Sequence, residues 1–411
     1  MTSPADIRGT VEAVWRIESA RIVATLARMT GDLSLAEDLA QEALVDALAQ
    51  WPESGVPRNA GAWLTAVAKR KAIDGWRRRE RRDERYRAMA RDLVEAREQD
   101  WEPIEDDLLR LVFTACHPVL SADARVTLTL RIVGGLSTEE IARLLLAPVP
   151  TVAQRIGRAK KTLSAAAVPF AAPDREEWGV RLGSVLAVVY LIFTEGYAAT
   201  SGDRWIRPEL ADEALRLGRI LAGLLPAEPE VHGLVALMEF QASRFGARTA
   251  PDGSPILLAD QDRSRWDRTQ IGRGRAALAR ADRVGRGRGS YGLQAGIAEC
   301  HATPSTFAET EWDRIVLLYE ALGALAPNPV VELNRAVAVS MATGPEAALL
   351  VADGLVAQGA LRGSHLLPSV RGELLRQLGR TQEARAELLR AAGLTTNQRE
   401  SAELRAKADT L

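Results

Sequence analysis

Apolar residues recur every three to four positions along most of the chain, and Ala, Leu, Arg and Glu dominate the long segments between breakers. β-Branched runs that alternate apolar and polar residues are nearly absent. This spacing is typical of amphipathic helices, so we predict an all-α fold. The longest apolar run, at 185–193, has nine residues, whereas a membrane span needs about 20 residues. We therefore expect a buried helix there and no membrane partner.

Changes of charge and clusters of Pro divide the chain into four segments. We expect a first helical domain at 8–88, an acidic linker at 89–107, a second helical domain at 108–168 and a large helical domain at 174–411. The whole chain has a net charge of −1, yet 69–87 holds ten basic and four acidic residues, and 92–107 holds eight acidic residues against one Arg. Such segregation indicates separate binding faces, and solvated helix faces are the alternative.

Composition excludes several classes of protein. The two cysteines, Cys116 and Cys300, cannot form a disulfide framework, and the N-terminus lacks a signal-peptide pattern, so we expect a cytoplasmic protein. The four histidines are scattered, and the adjacent Cys116 and His117 lack the spacing of zinc ligands. Because no nucleophile and base form a recognisable pair, we predict no cofactor, no metal and no enzymatic activity.

A helix-turn-helix is predicted within residues 125–161. Gly134 and Gly135 interrupt an apolar helix, and Ser137 with Glu140 has the pattern of a capping box that begins the next one. The last helix has one apolar face that packs and one polar face that is exposed. The polar face carries guanidinium groups and an amide that can hydrogen-bond to base edges in a major groove, and lysines that can bind phosphates. These polar residues are Thr151, Gln154, Arg155, Arg158, Lys160 and Lys161. An ordinary helical hairpin with a basic solvated face is the alternative.

A basic helix that also carries aromatic residues precedes the acidic linker. One row of this helix is Trp63, Val67, Arg70, Asp74, Arg77 and Arg81. Asp74 lies four residues from both Arg70 and Arg78 and can orient them. Rings that stack on bases and arginines that follow phosphates suit a single DNA strand. The alternative is that Trp63 and Trp76 belong to the core and that the arginines are only solvated.

The C-terminal region contains a predicted internal repeat. The stretch 334–355 resembles 372–394, and Gly344 and Gly379 are 35 residues apart. This offset is close to the helix-turn-helix repeat of about 34 residues in tetratricopeptide arrays. A degenerate second helix of such a pair is predicted at 211–226. Antiparallel helices that share Ala and Leu by composition alone are the alternative.

Three ordered motifs resemble the sigma-70 family. They are AEDLAQEALVDALAQW, WLTAVAKRKAIDGWRRRERR and LSTEEIARLLLAPVPTVAQRIGRAKKTL. Their spacing resembles the small extracytoplasmic-function (ECF) group, which keeps the second and fourth conserved regions, and the resemblance covers about residues 10–167. The turn before the last helix usually carries Gly in this family, whereas 146–149 here reads LAPV. The promoter preference of the family therefore does not transfer.

The remaining part of the chain, roughly 240 residues, resembles the extension of one ECF subgroup. Members of that subgroup carry a helical, tetratricopeptide-like C-terminal region with stretches such as YLIFTEGYAATSG and LNRAVAV. The subgroup typically lacks a conventional membrane anti-sigma partner. The resemblance therefore implies that the extension regulates the factor, by masking the fourth region or by receiving a signal from a regulatory protein or peptide.

The resemblance also implies a role for each motif. The acidic helix would dock on the clamp helices of the RNA polymerase β′ subunit through Asp38, Gln41, Glu42 and Asp46. The basic helix would read and melt the minus-ten promoter element through Asn59, Trp63, Arg70, Asp74, Arg77, Arg78 and Arg81. The last helix would read the minus-thirty-five element of promoter DNA through its six polar residues, and its domain would touch the β flap.

Two hypotheses from other classes remain. A stand-alone regulator with one helix-turn-helix and a ligand- or protein-sensing repeat domain would bind duplex DNA without polymerase, usually as a dimer on a palindrome. A scaffold would carry the basic segments incidentally. The acidic docking helix and the basic helix at 63–82 favour the sigma factor, because a simple repressor or activator needs neither.

Overall fold

The computed structural model describes residues 4–80, 104–145, 147–174, 176–197, 208–250, 256–395 and 398–411. In this part of the chain, 18 α-helices are joined by loops and short 3-10 turns, without a β-sheet. The prediction of an all-α fold is therefore confirmed for the described residues. The chain divides into two compact units, Met1–Leu224 and Leu225–Leu411.

The helices of the first unit are α1 (Pro4–Thr30), α2 (Leu33–Ser54), α3 (Ala60–Glu80), α4 (Ile104–Ala115), α5 (Ala122–Ile132), α6 (Thr138–Leu144), α7 (Val149–Ala165), α8 (Trp178–Tyr197) and α9 (Pro208–Leu224). Those of the second unit are α10 (Pro229–Ala242), α11 (Arg268–Val284), α12 (Ser290–Ala302), α13 (Trp312–Leu325), α14 (Pro329–Ala342), α15 (Pro345–Ala357), α16 (Leu366–Gln377), α17 (Thr381–Leu394) and α18 (Gln398–Asp409). The end of the linker predicted at 89–107 falls inside α4, and the rest of that linker lies outside the described residues.

Helices α1, α2 and α3 pack together, and many of their buried residues are alanines. Asp32 begins α2, because its carboxylate accepts hydrogen bonds from the amides of Ser34 and Leu35 at 2.8 and 3.1 Å. The inner face of α2 is a row of buried alanines that ends at the buried Trp51. Because this inner face is apolar and closely packed, most of the acidic side chains of α2 remain on its outer face.

Helices α6 and α7 form the predicted helix-turn-helix pair. The capping box is present, since the Glu140 amide donates to Ser137 Oγ at 3.1 Å and the Ser137 amide donates to the Glu140 carboxylate at 2.7 Å. Gly135 turns the chain before α6 with a φ of +70°, a conformation that glycine adopts without steric cost. The predicted inner face of α7 is buried: Val152, Ile156, Ala159 and Leu163.

Helix α8 covers the apolar side of α4 and α5. The rings of Phe113 and Trp178 lie 5.2 Å apart between centroids. Arg125 of α5 donates to Ser184 Oγ at 2.6 Å, which fixes the next turn of α8. The apolar run at 185–193 is part of this helix, and most of its side chains are buried.

The position of α8 concerns the predicted domain boundary and the predicted buried helix. The sequence predicts a boundary near 168–174, whereas α8 and α9 belong to the same compact unit as α1–α7. By length and composition alone, Glu176–Thr194 is apolar enough to cross a membrane, with 39% of the window buried. A core helix of a protein in water passes the same test.

In the second unit, each helix from α12 onward packs against the next one along the chain. The two predicted repeats correspond to α14 with α15 and to α16 with α17. Gly344 and Gly379 lie between the helices of each pair with φ of +120° and +71°, a region that favours glycine. Arg371 of α16 joins the pairs, because it contacts Asp353 of α15 at 2.8 Å and Glu387 of α17.

Candidate nucleic-acid interface

The outer face of α7 presents long polar side chains. Those that are exposed or half-buried include Thr151, Gln154, Arg158 and Lys161. Arg155 lies 3.4 Å from Asp123 of α5, and this ion pair holds its guanidinium group beside the face. Amide and guanidinium donors on one exposed helix face can hydrogen-bond to base edges in a major groove. The exposed face of α7 therefore carries the donors that the predicted recognition helix requires.

Lys160 differs from the other polar residues of α7. Its ammonium group forms an ion pair with Glu37 of α2, and its side chain is only 14% exposed. Arg131 of α5 donates to the same carboxylate at 2.5 Å. Burial raises the pKa of the Glu37 carboxyl, but the charges of Arg131 and Lys160 outweigh burial and hold the pKa below its usual value. The acidic helix and the recognition helix are thus in contact, which the sequence did not indicate.

The outer face of α2 combines acidic and apolar side chains. Its predicted docking residues are exposed or half-buried: Asp38, Gln41, Glu42 and Asp46. Val45 and Leu48 lie among them and are 62% and 41% exposed. Sequence reasoning missed these two residues, although their helical spacing from Asp38 and Gln41 could have placed them on this face. Acidic and apolar side chains are thus exposed together on one face of α2.

Lys71 of α3 pairs with two carboxylates of this outer face. Its Nζ atom lies 3.4 Å from Glu42 and 3.0 Å from Asp46. The hydrogen bond to Asp46 raises the pKa of Lys71, so the lysine keeps its charge. A partner that binds Glu42 and Asp46 therefore competes with Lys71.

The first turns of α3 hold two of the predicted DNA-contacting residues. Asn59 caps the helix, because its side-chain oxygen accepts a hydrogen bond from the Ala62 amide at 3.0 Å. Trp63 is half-buried and packs edge-on against Trp51, with ring centroids 5.4 Å apart. Both residues thus have a structural role, and part of the Trp63 side chain remains accessible.

The rest of the predicted single-strand face is described only in part. Arg70 is exposed and Asp74 is half-buried, one turn apart on α3. The side chains of Arg77 and Arg78, and the whole of Arg81, lie outside the described residues. The contribution of those arginines to a DNA-binding face stays a prediction.

The two cysteines are free and buried in the structure. Burial raises the pKa of the Cys116 and Cys300 thiols to about 11, so both stay protonated at neutral pH. Over the ranges that the structure describes, no group of three or more His, Cys, Asp or Glu side chains could hold a metal ion.

Comparisons with known proteins match the same regions. A model described as sigma-70 region 2 matches residues 16–82, and one described as sigma-70, region 4 matches residues 110–163. A family of unknown function (DUF6596) matches residues 181–282. An uncharacterized protein of Rhizobium meliloti (strain 1021) is 43% identical over 400 residues, which cover 94% of this chain and 92% of that protein. No solved structure matches the chain with significance.

The matches to sigma-70 regions 2 and 4 identify a DNA-binding subunit of the transcription machinery. More narrowly, the chain belongs to the sigma-70 family. As a sigma factor it is a non-catalytic initiation factor that binds core RNA polymerase and promoter DNA.

Proposed function

We propose that the protein is a sigma factor of the ECF type, which directs core RNA polymerase to specific promoters and is regulated by its own C-terminal helical region in the cytoplasm. One observation carries this proposal. A single compact unit holds two different exposed surfaces, the acidic and apolar outer face of α2 and the polar outer face of α7. A stand-alone regulator requires only the second surface. The short interval between the two sigma-70 matches, 83–109, supports the ECF type.

The outer face of α2 is the proposed surface for the β′ clamp helices. Its polar and acidic groups are Asp38, Gln41, Glu42 and Asp46, and its apolar groups are Val45 and Leu48. In an interface of this kind, the apolar centre supplies affinity when it is desolvated. The charged rim mainly orients the partner and accelerates association.

The proposed DNA contacts divide between the two domains. In the domain at 8–88, Asn59, Trp63, Arg70, Asp74, Arg77, Arg78 and Arg81 would bind the melted minus-ten element. In the domain at 108–168, Gln154, Arg155, Arg158 and Thr151 would contact bases of the minus-thirty-five element, while Lys160 and Lys161 bind phosphates. The acidic linker at 89–107 would pass through polymerase, and the second domain would touch the β flap.

The region at 174–411 is the proposed regulatory domain. Its helices pack in sequence order from α12 to α18, which supports a tetratricopeptide-like array. Such arrays present a concave surface, and a regulatory protein or peptide is the proposed occupant. The contact of α8 with α4 and α5 gives this region a direct route to the minus-thirty-five domain.

Run-off transcription with purified core polymerase and a set of host promoters tests the proposal. The double variant Asp38→Lys/Glu42→Lys reverses the charge of the docking face. We expect it to lose core binding and initiation and to keep its binding of promoter duplex. Arg158→Ala, at an exposed position of α7, should keep core binding and lose promoter-specific initiation.

Glu209→Lys is the matched control, because it reverses one exposed acidic residue of α9 in the same unit. We expect its transcription to equal that of the unaltered chain. Failure of the unaltered chain to bind core polymerase or to initiate from any promoter would sink the ECF proposal. Binding to duplex DNA without polymerase would then favour the stand-alone regulator.

A further inference from the structure

Glu37 lies where the two DNA-reading parts of the first unit meet. The residue is 6% exposed. One of its carboxylate oxygens accepts from Arg131 Nε at 2.5 Å, and the other pairs with the Lys160 ammonium group. Arg131 also donates to the Leu136 carbonyl at 2.9 Å, which fixes its guanidinium group in the turn before α6. A single carboxylate of α2 therefore holds one cation from α5 and one from α7.

Two further contacts join the same parts of the unit. Arg28 of α1 donates to Asp107 of α4 at 2.8 Å, and Asp107 is buried. Gly135 lies so close to Ser19 of α1 that a Cβ atom at this glycine would overlap the serine oxygen. The turn between α5 and α6, just before the helix-turn-helix, is therefore seated on α1.

Helix α9, which follows α8 in the C-terminal region, also contacts these parts of the first unit. Glu213 is buried and lies 2.6 Å from Arg216, which donates to the Gly134 carbonyl at 2.9 Å. Glu213 also lies 3.8 Å from Arg16 of α1. Helix α9 thus contacts both α1 and the turn before α6.

We propose that Glu37 is a latch that holds the docking helix α2 and the recognition helix α7 together in the free chain, and that the phosphate backbone of duplex DNA opens it by taking over Lys160. This inference rests on the proposed function of α7 as a DNA-binding helix. Lys160 is one of its phosphate-binding residues, and in the closed form its ammonium group is occupied by a carboxylate. A phosphate has the same sign of charge and accepts the same hydrogen bonds, so Lys160 stays paired throughout the exchange.

Opening the latch changes two binding surfaces at once. It frees Lys160 for the DNA backbone and separates Arg131 from α2, and it returns the Glu37 carboxylate to solvent beside Asp38 on α2. A ligand that binds only the open form shifts the chain towards that form. Only the open fraction of the chain binds DNA, so the apparent affinity for DNA is the intrinsic affinity multiplied by that fraction. Binding of DNA and docking on polymerase are therefore coupled through one carboxylate.

A distance measurement on the full chain tests the latch without DNA. Spin labels are attached at Gln50→Cys on α2 and Ser164→Cys on α7, both exposed positions, while the native cysteines are buried. We expect one narrow distance distribution for the labelled chain. Glu37→Gln should broaden it and move it to longer distances. Glu209→Gln, which removes an exposed carboxylate of α9, should leave it unchanged.

A short DNA duplex of mixed sequence, added at fixed ionic strength, tests what opens the latch. We expect it to move the labelled chain to the longer distances. Glu37→Gln should bind the duplex about tenfold more tightly, as expected when about 90% of the unaltered chain is closed. Ionic strength is held constant because phosphate contacts depend steeply on salt.

Two results would overturn the inference in different ways. A Glu37→Gln distribution identical to that of the unaltered chain would show that the carboxylate holds nothing together. If Glu37→Gln is open but binds the duplex no more tightly than the unaltered chain, phosphate is not the ligand that opens the latch. If neither chain binds the duplex, the proposed DNA-binding role of α7 also fails. If Glu37→Gln fails to fold, as judged by circular dichroism, Lys160→Gln replaces it, because this variant leaves the buried carboxylate paired with Arg131. A distance unchanged from that of the unaltered chain would then overturn the role given to Lys160.

Discussion

The first unit and the stack of helices α13–α18 hold their ion pairs over different separations in sequence. In the first unit, Arg28 of α1 pairs with Asp107 of α4, 79 residues away. In the stack, Arg371 pairs with Asp353, 18 residues away. Local pairing is typical of repeat architectures, in which each element contacts only its neighbours. The first unit depends instead on helices that are far apart in sequence and must all be in place together.

This difference indicates where a switch can be built. Removing one partner of a buried long-range pair leaves an uncompensated charge, so the members of such an interface tend to form and break as a group. Exposed pairs within a helix contribute little each and can break singly. The proposed latch at Glu37 lies among the long-range pairs of the first unit, whereas the stack is held by local pairs.

The largest expected effect comes from removing the contact between α4 and α8. Phe113 is 1% exposed and packs on Trp178. We expect Phe113→Ala to lower the free energy of unfolding of the first unit by about 3–5 kcal/mol, because it leaves a cavity in the core. Urea denaturation gives the loss, and amide hydrogen exchange of α4 and α8 locates it.

Leu389→Ala is the control for this prediction in the stack. Leu389 lies on α17 and is 42% exposed. Its truncation should change the free energy of unfolding by no more than about 0.5 kcal/mol. Equal losses for the two variants would contradict the view that α8 is part of the core of the first unit.

A smaller effect is expected from a matched pair of glycines. Gly135 in the first unit and Gly379 in the stack have nearly the same φ, +70° and +71°. Alanine in this conformation costs about 1 kcal/mol at either position. At Gly135 the new Cβ atom also meets Ser19 Oγ, whereas the space beside Gly379 is open. We expect Gly135→Ala to lose about 1–3 kcal/mol more than Gly379→Ala in thermal or urea unfolding.

The double variant Ser19→Ala/Gly135→Ala separates backbone strain from the overlap. It removes the oxygen and leaves the Ser19 Cβ atom at 3.6 Å, an ordinary contact distance. The loss should then fall to that of Gly379→Ala. If Gly135→Ala and Gly379→Ala are equal from the start, the helix-turn-helix is not seated on α1 in solution.

The contrast between local and long-range contacts also explains what could be predicted from the sequence. The capping box of Ser137 and Glu140 and the buried face of α7 were predictable, because each depends on residues within a few turns of one helix. The helices α14–α17 were predictable for the same reason. The pairing of Glu37 with Arg131 and Lys160 was not, since helical periodicity shows which face is buried and not which distant helix covers it.

The outer face of α2 shows a second limit of periodicity. Val45 and Leu48 are apolar residues in an amphipathic helix, a pattern that usually indicates a core position. The apolar part of the core side of α2 is instead formed by four alanines, Leu39 and Trp51. The spacing could have grouped Val45 and Leu48 with Asp38, but only the packing against α1 and α3 shows that this face is exposed.

The smallest expected effect is a difference between the two units in how their stability depends on pH. Burial, together with the charges of Arg244 and Arg263, lowers the pKa of His301 in the second unit from 6.5 to about 4. A group whose pKa falls on folding contributes stability that is complete above its unfolded pKa and is lost as the pH falls towards the folded value. We expect the second unit to lose about 1 kcal/mol between about pH 7 and pH 6, and more towards pH 5. His301→Gln should remove this loss.

The pKa of Glu37 in the first unit is also lowered, but from a starting value of 4.5. Its contribution is complete above that value and declines only as the pH falls below it, so the first unit should keep it over the range in which His301 titrates. Amide hydrogen exchange at about pH 7, 6 and 5, corrected for the intrinsic rate, reports on both units in one sample. Weakening of the first unit in step with the second, or an unchanged slope in His301→Gln, would contradict this assignment. The pH dependence would then arise from groups other than His301.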